Sequence, residues 1–481
     1  MLLNIFLQCV FIQFAYTYSN KPILLIVSYD GFRYDYINKA STPTLVKLQR
    51  EGTYADYMYN VFPTKTFPNH FTISTGMYAE EHGVMGNNFY DPETRKKIGM
   101  EKSMFMQNDK AIPIWTLNEM SESNRYSGCM MWPGCKFSYQ NVTPTHFESW
   151  DPKYDLYKRV DTAISWIMDP QYPANLVMLY IEEPDFHGHV YSPDSTVVEN
   201  MIKKLDNVTQ YLHDKLRKHH LSHLVNVIHL GDHGMISIKY KNILNVSNYL
   251  EKNTYSFADS SPTLHVIPEE GYTDDVYNRL KKASAELGHF TVYKKSEIPN
   301  RWHFRRNIRT PPILLLADKG YAFDDFIDTV AYYTKLYNLK VGPNSLFGMH
   351  GYAVDIKEMY SFFIARGPKI RKNHKINPFN TVDLYSVFAN ILELQSRRPI
   401  NTNLIKEVVD KKETSHAVKV IVITVVGMSL SLLLISCAAA ITIILIRRQQ
   451  NMTTAAALNK RFPKSFQQAV EAQHLLEAEE A

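Results

Sequence analysis

Five short apolar runs punctuate the first four hundred positions of the chain, at residues 23–27, 176–181, 225–230, 313–316 and 362–365. Each is short and mostly apolar, with Asn226 and His229 inside the third, which is the pattern of a strand buried on both faces, as in a parallel sheet. Between them the apolar period lengthens to that of a helix. The clearest helix follows Ser192 and Pro193, read as N-cap and first helical residue, with Val198, Met201, Ile202, Leu205, Val208, Leu212 and Leu216 on one stripe. That stripe is a core-facing surface and carries no chemistry. Strands separated by helices predict an α/β domain with a mostly parallel central sheet and helices on both faces, whose ligands gather at the carboxyl ends of the strands.

Two longer apolar stretches bound this pattern. Residues 1–19 have the length and apolar centre of a secretory signal peptide, cleaved after Ser19. No Lys or Arg precedes the run, so a buried first strand or a retained anchor is the alternative. Residues 420–446 are 27 uncharged positions, more than the roughly 20 that span a bilayer as a helix, and apolar on every face. They end on Arg447 and Arg448, but Lys411, Lys412 and Lys419 make the other side basic too, so the orientation rests on the signal peptide. The expected organisation is a signal at 1–19, one extracellular catalytic domain at 20–400, a polar stalk at 401–419, a transmembrane helix at 420–446 and a cytoplasmic tail at 447–481. That is a single-pass type I protein of the cell membrane. The tail carries no recognisable chemistry, with a helix expected at 466–479.

Composition changes this picture little: 45% of the 481 residues are hydrophobic and 21% charged, an ordinary globular balance. The net charge of +5 is spread along the chain, so no nucleic-acid polymer is expected as a partner. The one basic cluster, residues 301–309 with Trp302 and His303 inside it, reads as a solvated surface loop. Of four cysteines, Cys9 falls in the signal and Cys437 in the span, leaving Cys129 and Cys135 six residues apart across Pro133 and Gly134. Outside the cell a disulfide between them is favoured over a pair of buried thiols. Glycosylation sequons stand at Asn141, Asn207 and Asn245, all between the apolar ends.

Candidate chemistry sits where the fold rule expects it. Asp30 follows the first run, Asp185 and His189 the second, and Asp232 and His233 the third. One Asp after one strand is usually a cap or turn residue; three at successive strand ends, two with a histidine, point to metal ligands. The spacing of Asp185 and His189 lets both meet one ion, and His350 adds another imidazole. Carboxylate with imidazole suits zinc, and the absence of Cys also admits manganese. His187 lies out of register with its neighbours and is read as exposed or supporting. For a nucleophile, residues 63–70 (PTKTFPNH) place the Thr66 hydroxyl at the start of an expected helix running to Gly76, where anions are favoured. A Thr at that position is otherwise an N-cap. Beside metal ions its hydroxyl becomes a nucleophile.

These motifs, taken in order, carry a resemblance. Ser28-Tyr29-Asp30-Gly31-Phe32-Arg33, PTKTFPNH, His82-Gly83, Asn87, Tyr90-Asp91-Pro92, Glu183-Pro184-Asp185, His189, Asp232-His233-Gly234-Met235 and His350-Gly351 together resemble the ectonucleotide pyrophosphatase/phosphodiesterase family, most of all its short, single-domain, type I anchored members. The resemblance implies an alkaline-phosphatase-like fold and two zinc ions per chain, one on Asp30, Thr66, Asp232 and His233, the other on Asp185, His189 and His350. It further implies in-line attack by Thr66 with Asn87 donating to a phosphoryl oxygen, a threonyl-nucleotide intermediate, and release of a nucleoside monophosphate from NAD, dinucleoside polyphosphates or nucleoside di- and triphosphates. In nucleotide-preferring relatives an aromatic stacks on the base; Trp150 or Tyr154 is the candidate, with ordinary packing as the alternative for either. Gly231 departs from the family, which often has Ser there. A choline-lipid phosphodiesterase of the same family is the competing activity, and a silent adhesion or signalling ectodomain the competing class. A chain without catalysis has no physical need for seven convergent metal-type side chains.

Overall fold

A computed structural model describes residues 18–410, 413–459 and 468–473. The expected signal peptide lies outside them except for Tyr18 and Ser19, and so does most of the helix expected at 466–479. The chain divides into two units at residue 410.

In the first unit, the strands that matter for the site are β1 (Ile23–Tyr29), β2 (Thr53–Tyr59), β3 (Ser127–Met130), β4 (His146–Glu148), β5 (Leu176–Ile181) and β6 (Val225–Gly231). Further along come β7 (Tyr255–Ala258), β8 (Thr263–Pro268), β9 (Phe290–Lys294), β10 (Ile313–Ala317), β11 (Ser361–Arg366) and β12 (His374–Ile376). Among the described residues the main sheet has nine strands, in the order β12-β2-β11-β6-β1-β5-β3-β4, with Phe379–Asn380 paired to β2 off that path. The pairs β6/β1, β1/β5, β5/β3 and β3/β4 are parallel. Every residue of β1, β5 and β6 is buried, which is why these strands read as mostly apolar runs; Asn226 and His229 of β6 are buried with hydrogen bonds to the Ile23 carbonyl and the Tyr29 hydroxyl. Alternate residues of β1 reach opposite layers: the Tyr29 hydroxyl bonds Thr209 of one helix at 2.7 Å, and Ser28 Oγ bonds His70 of another at 2.9 Å. Helices thus cover both faces of a mostly parallel sheet.

Two of the five apolar runs behave differently from the expectation. β11 is buried but runs antiparallel to β6 and β2. β10 belongs to a separate four-stranded antiparallel sheet, ordered β7-β8-β10-β9, which has its own core with Leu264, Val266, Val276, Leu280 and Leu315. A central strand covered on both sides is continuously apolar whichever way its neighbours run, so neither direction nor sheet membership is encoded in the run.

The helices used below are α1 (Pro43–Glu51), α2 (Thr66–Thr75), α3 (Leu156–Ile167), α4 (Asp185–Tyr191), α5 (Thr196–Lys218), α6 (Leu384–Ile391), α7 (Thr402–Val408) and α8 (Glu413–Asn459). α5 starts three residues later than the Ser192-Pro193 signal suggests. Ser195 is the cap, its Oγ accepting from the Val198 amide at 3.2 Å, while Ser192 takes a positive φ of 72° and ends α4. The stripe Val198, Ile202, Leu205, Val208, Leu212 and Leu216 is buried, with Met201 at its edge.

The expected boundary at 400 also moves. α7 buries Leu404, Ile405 and Val408, the Arg371 amide donates to the Val408 carbonyl at 3.0 Å, and the Asp410 amide to Lys369 at 2.8 Å. Residues 401–409, read as stalk from their polar composition, are therefore part of the globular unit, held by three apolar side chains at helical spacing. The basic cluster is likewise no solvated loop throughout. Trp302 stacks on Phe62 at 4.5 Å, and Arg309 is buried, donating to the carbonyls of Gly83, Ser103 and Met104. Arg301 and Arg306 remain exposed. Cys129 and Cys135 are joined in a disulfide with their Cα atoms 6.2 Å apart. Asn141, Asn207 and Asn245 are all solvent-exposed.

The second unit is dominated by α8, in which Val426–Thr454 is long and apolar enough to cross a membrane, with a mean hydropathy of 2.6. Its helix runs on past Arg447 and Arg448 to Asn459.

Because Ile405 is buried in α7, Ile405→Ala is expected to destabilise the globular unit by about 2 to 4 kcal/mol, the range for emptying an aliphatic core position. Urea unfolding of the purified protein checks it, and an unchanged midpoint would return α7 to the stalk.

Candidate active site

Three carboxylates meet because three adjacent parallel strands stop at the same edge. Asp30 follows β1, Asp232 follows β6, and Asp185 opens α4 just after β5. Gly31 allows the closest approach: it holds φ +64°, and a Cβ there would lie 2.9 Å from Asp185 Cβ and Oδ1. Gly231 has a similar explanation. Its Cβ would come within 2.7 Å of the Phe32 carbonyl, so the serine frequent at this position in the resembling family would need the backbone to shift.

The imidazoles complete the cluster. His233 Nε2 lies 3.1 Å from Asp232 Oδ2, 3.3 Å from Asp30 Oδ1 and 3.3 Å from the Thr66 hydroxyl. His189 Nε2 is 3.2 Å from Asp185 Oδ2, and His350 Nε2 is 3.6 Å from Asp185 Oδ1. The His233 and His350 rings stack with centroids 3.7 Å apart. All seven residues named from the sequence, Asp30, Thr66, Asp185, His189, Asp232, His233 and His350, are thus brought into one cluster. Its grouping is less tidy than two separate sets, since donor atoms within 4.8 Å of one another form Asp185-His189-His350 and Asp30-Asp185-His233. Asp185 stands between the two.

The chemistry of the donors fits cations. Each histidine commits its Nδ1–H to a backbone carbonyl: His189 to Gly348 at 3.0 Å, His233 to Gly234 at 2.9 Å and His350 to Thr64 at 3.0 Å. That fixes the tautomer and turns the Nε2 lone pair of each ring into the cluster, the arrangement by which metal-binding histidines are oriented. Asp30 Oδ1, Asp185 Oδ1 and Asp232 Oδ2 are buried with no hydrogen-bond partner. Burial, then the Asp232 and Asp185 carboxylates beside it, holds the Asp30 carboxyl well above its ordinary range. Burial also raises Asp185, but His189 and His350 outweigh it and leave that carboxyl below its ordinary range. Burial, then the neighbouring His233, drives His350 well below the usual histidine value. Buried, orphaned carboxylate oxygens facing the Nε2 atoms of three imidazoles are the donor set of zinc or a similar divalent ion.

Thr66 is the first residue of α2, a ten-residue helix, and the cap position belongs to Lys65, so its hydroxyl is not spent on capping. The loop before it is shaped by one amide: Asn69 accepts from the Val61 amide at 2.9 Å and donates to the carbonyls of Pro63 and Lys65 at 3.0 and 2.9 Å. Asn87 Oδ1 accepts from the Phe67 amide at 3.1 Å, which leaves its Nδ2 as donor next to the start of the helix.

Trp150 and Tyr154 lie in the loop after β4, at the same carboxyl edge of the sheet. Arg159 fixes that loop, donating to the Tyr154 and Asp151 carbonyls at 3.0 and 3.3 Å while pairing with Glu182. Trp150 is 57% exposed, whereas the Tyr154 hydroxyl is tied to Thr162 of α3 at 2.8 Å. Among the described residues no ring contact or hydrogen bond joins either to the cluster. His187 pairs with Glu183 at 2.6 Å, outside it.

Sequence reasoning missed several supports. The Tyr180 hydroxyl donates to Asp30 Oδ2 at 2.6 Å, and Gly31 N–H to Asp232 Oδ1 at 3.0 Å. His70 lies 3.3 Å from Asp232 Oδ2 and bonds the Thr66 carbonyl at 2.9 Å. Its spacing of four from Thr66 on one helix was the available signal. Asn60 donates to the Asp232 carbonyl and to Ser361.

A type I phosphodiesterase / nucleotide pyrophosphatase family model matches residues 24–353. The bis(5'-adenosyl)-triphosphatase of Xenopus laevis is 36% identical over 377 residues, covering 78% of this chain and 79% of that protein. Ectonucleotide pyrophosphatase/phosphodiesterase family member 5 of Homo sapiens is 34% identical over 389 residues, covering 79% and 76%. Among solved structures, murine ectonucleotide pyrophosphatase/phosphodiesterase 5, described as an inactive threonine-to-alanine variant in complex with AMP, superposes with a TM-score of 0.72 at 33% identity, covering 81% of this chain and all of that one. A fold of this kind, with a metal-type cluster at its strand ends, is that of a metal-dependent phosphodiesterase. The chain belongs to the ectonucleotide pyrophosphatase/phosphodiesterase family, a family of hydrolases, and is similar to its single-domain members.

Because Tyr180 braces Asp30, Tyr180→Phe is expected to weaken metal binding by about ten- to a hundredfold with the fold intact. Titration against a competing chelator measures it; unchanged affinity would show that Asp30 needs no such brace.

Proposed function

We propose that this chain is an extracellular two-zinc nucleotide pyrophosphatase/phosphodiesterase, anchored by α8, that releases nucleoside 5'-monophosphates through a threonyl-nucleotide intermediate. The observation that carries this reading is the Thr66 hydroxyl, 3.3 Å from His233 Nε2, uncommitted to capping, at a helix N-terminus and beside three carboxylates with orphaned oxygens. Asp30, Thr66, Asp232 and His233 would hold one ion, and Asp185, His189 and His350 the other. When bound, the ions supply positive charge that lowers the hydroxyl pKa and neutralises the developing phosphoryl charge.

The chain's own groups do the rest. Thr66 Oγ, having lost its proton, attacks phosphorus in line; the new O–P bond forms as the bond to the leaving phosphate or nucleotide breaks. Asn87 Nδ2, oriented by the Phe67 amide on its Oδ1, donates to a non-bridging oxygen as charge builds there. Water then attacks from the opposite side, the Oγ–P bond breaks, Oγ regains a proton and the monophosphate leaves. Phosphate leaving groups depart readily, so no strong general acid is required.

Adenine nucleotides are the favoured substrates, supported by the bis(5'-adenosyl)-triphosphatase relatives and the AMP held by the solved murine relative. The exposed face of Trp150 is the better stacking candidate, because the Tyr154 hydroxyl is already engaged. The extracellular placement is supported by the apolar run at residues 1–19, read as a leader, by the membrane-length helix Val426–Thr454, and by the exposure of Asn141, Asn207 and Asn245 as glycan acceptors. Choline-lipid hydrolysis finds no specific observation in its favour.

Thr66→Ala is expected to lower kcat by about a thousandfold or more while retaining fold and most of the bound metal, with Thr66→Ser keeping part of the rate. Near wild-type turnover by Thr66→Ala would make water the attacking group. Excess chelator should abolish activity and zinc restore it; full activity in a demonstrably metal-free sample would contradict the two-zinc reading. On a panel of NAD, bis(5'-adenosyl) triphosphate and glycerophosphocholine, kcat/KM should favour the nucleotides. Trp150→Ala should reduce that preference by about tenfold, in line with a stacked base contributing roughly 1 to 3 kcal/mol. Faster release of phosphocholine would overturn the substrate assignment.

A further inference from the structure

One carboxylate outside the cluster touches the chain beside several of the groups that the proposed reaction uses. Asp259 follows β7, in the four-stranded sheet, and its side chain is fully buried. Its Oδ2 lies 2.8 Å from Lys65 Nζ, itself buried, and Lys65 also donates to the Ser260 carbonyl at 2.7 Å. His265 comes within 3.9 Å of the same oxygen, but burial keeps that ring neutral, its pKa pushed down to about 3. The ammonium of Lys65, the residue immediately before Thr66, is therefore the charge that answers Asp259.

The same Asp259 also braces the other side of the site. Gly86 leaves room for the Asp259 side chain, since a Cβ there would come within 2.1 Å of Asp259 Oδ2. The Asp259 amide donates to Asn88 Oδ1 at 2.9 Å. Gly86 and Asn88 bracket Asn87. The stem of Lys65 packs in turn on Gly351, at φ +110°, where a Cβ would lie 2.9 Å from Lys65 Cε; Gly351 follows His350. Asp259 sustains these contacts from the left-handed region, at φ 59°, which Asp adopts more readily than most residues.

A buried ion pair is weak evidence for stability, since desolvation offsets its attraction; fixed geometry is what it offers. We infer that the Lys65–Asp259 pair is a positioning device for the reaction, setting the Thr66 hydroxyl and the Asn87 amide at the separation that lets both meet one phosphoryl group. Neither residue touches the reacting atoms. The inference rests on the roles proposed above for Thr66 and Asn87.

The test uses the full-length, zinc-loaded protein and bis(5'-adenosyl) triphosphate. Asp259→Asn and Lys65→Met are each expected to lower kcat by about a hundredfold, the loss that a misplacement of about 1 Å produces, with KM changed less than about threefold and zinc content retained. The double variant Lys65→Met/Asp259→Leu buries no charge, so it is expected to recover thermal stability without recovering kcat. Recovery of both would show a merely structural pair and overturn the inference, as would unchanged kcat in the two single variants. If the single variants fail to fold, the double variant decides alone. Thr66→Ala run in parallel separates the two failures: turnover without Thr66 removes the underlying reading, whereas loss of turnover there with full kcat in the Asp259 and Lys65 variants removes only the positioning role.

Discussion

The mutual repulsion of three converging carboxylates, Asp30 and Asp232 buried and Asp185 mostly so, governs this molecule. Asp30, Asp185 and Asp232 converge because β5, β1 and β6 are neighbours that run in the same direction and end together. Bringing anions together out of water is unfavourable unless cations compensate. Much of the surrounding structure serves that compensation: the Tyr180 hydroxyl and Gly31 amide take the outward oxygens, and three backbone carbonyls hold the imidazoles with their lone pairs facing in. Only then does the N-terminus of α2 bring a hydroxyl to the same place.

The architecture separates two tasks. The main sheet supplies Asp30, Asp185, Asp232 and His233 from its strand ends, with His189 on α4 and His350 after Leu346–Met349 of a separate two-stranded sheet, whereas the proposed nucleophile and phosphoryl donor come from segments outside the strands, Thr66 at the start of a helix and Asn87 in a loop. Strand ends are rigid but cannot be adjusted one at a time; helix starts and loops can, provided something holds them. Asn69 shapes the approach to Thr66, and the Phe67 amide orients Asn87. The exposed loop after β4 is braced by Arg159 and lies apart from the cluster, so its sequence can vary without disturbing the carboxylates.

Much of this was legible before any coordinates. Mostly apolar runs at 23–27, 176–181 and 225–230 become β1, β5 and β6, and a carboxylate after each, with histidines near two of them, marks the cluster. What was not legible depends on tertiary approach. The run at 313–316 has the same composition as the others, yet its strand sits in another sheet, because burial on both faces looks alike in either setting. Residues 401–409 look polar, and three apolar side chains at helical spacing were too few to outweigh that. Tyr180 and Asp259 stand 150 and 194 positions from the residues they brace, Asp30 and Lys65, so no local pattern relates them. Ser192 has the residue type of a cap, and the positive φ there together with the Ser195 Oγ bond to the Val198 amide moves the cap of α5 to Ser195.

The central claim is that the Thr66 hydroxyl, rather than water, makes the first bond to phosphorus. Its most direct test is the stereochemical course of hydrolysis, followed with a dinucleotide analogue made chiral at the attacked phosphorus by sulfur and cleaved in heavy-oxygen water. Attack by Thr66 and then by water inverts phosphorus twice, so the account predicts net retention of configuration in the released nucleoside phosphorothioate. Net inversion would mean a single direct displacement by water, and would contradict it.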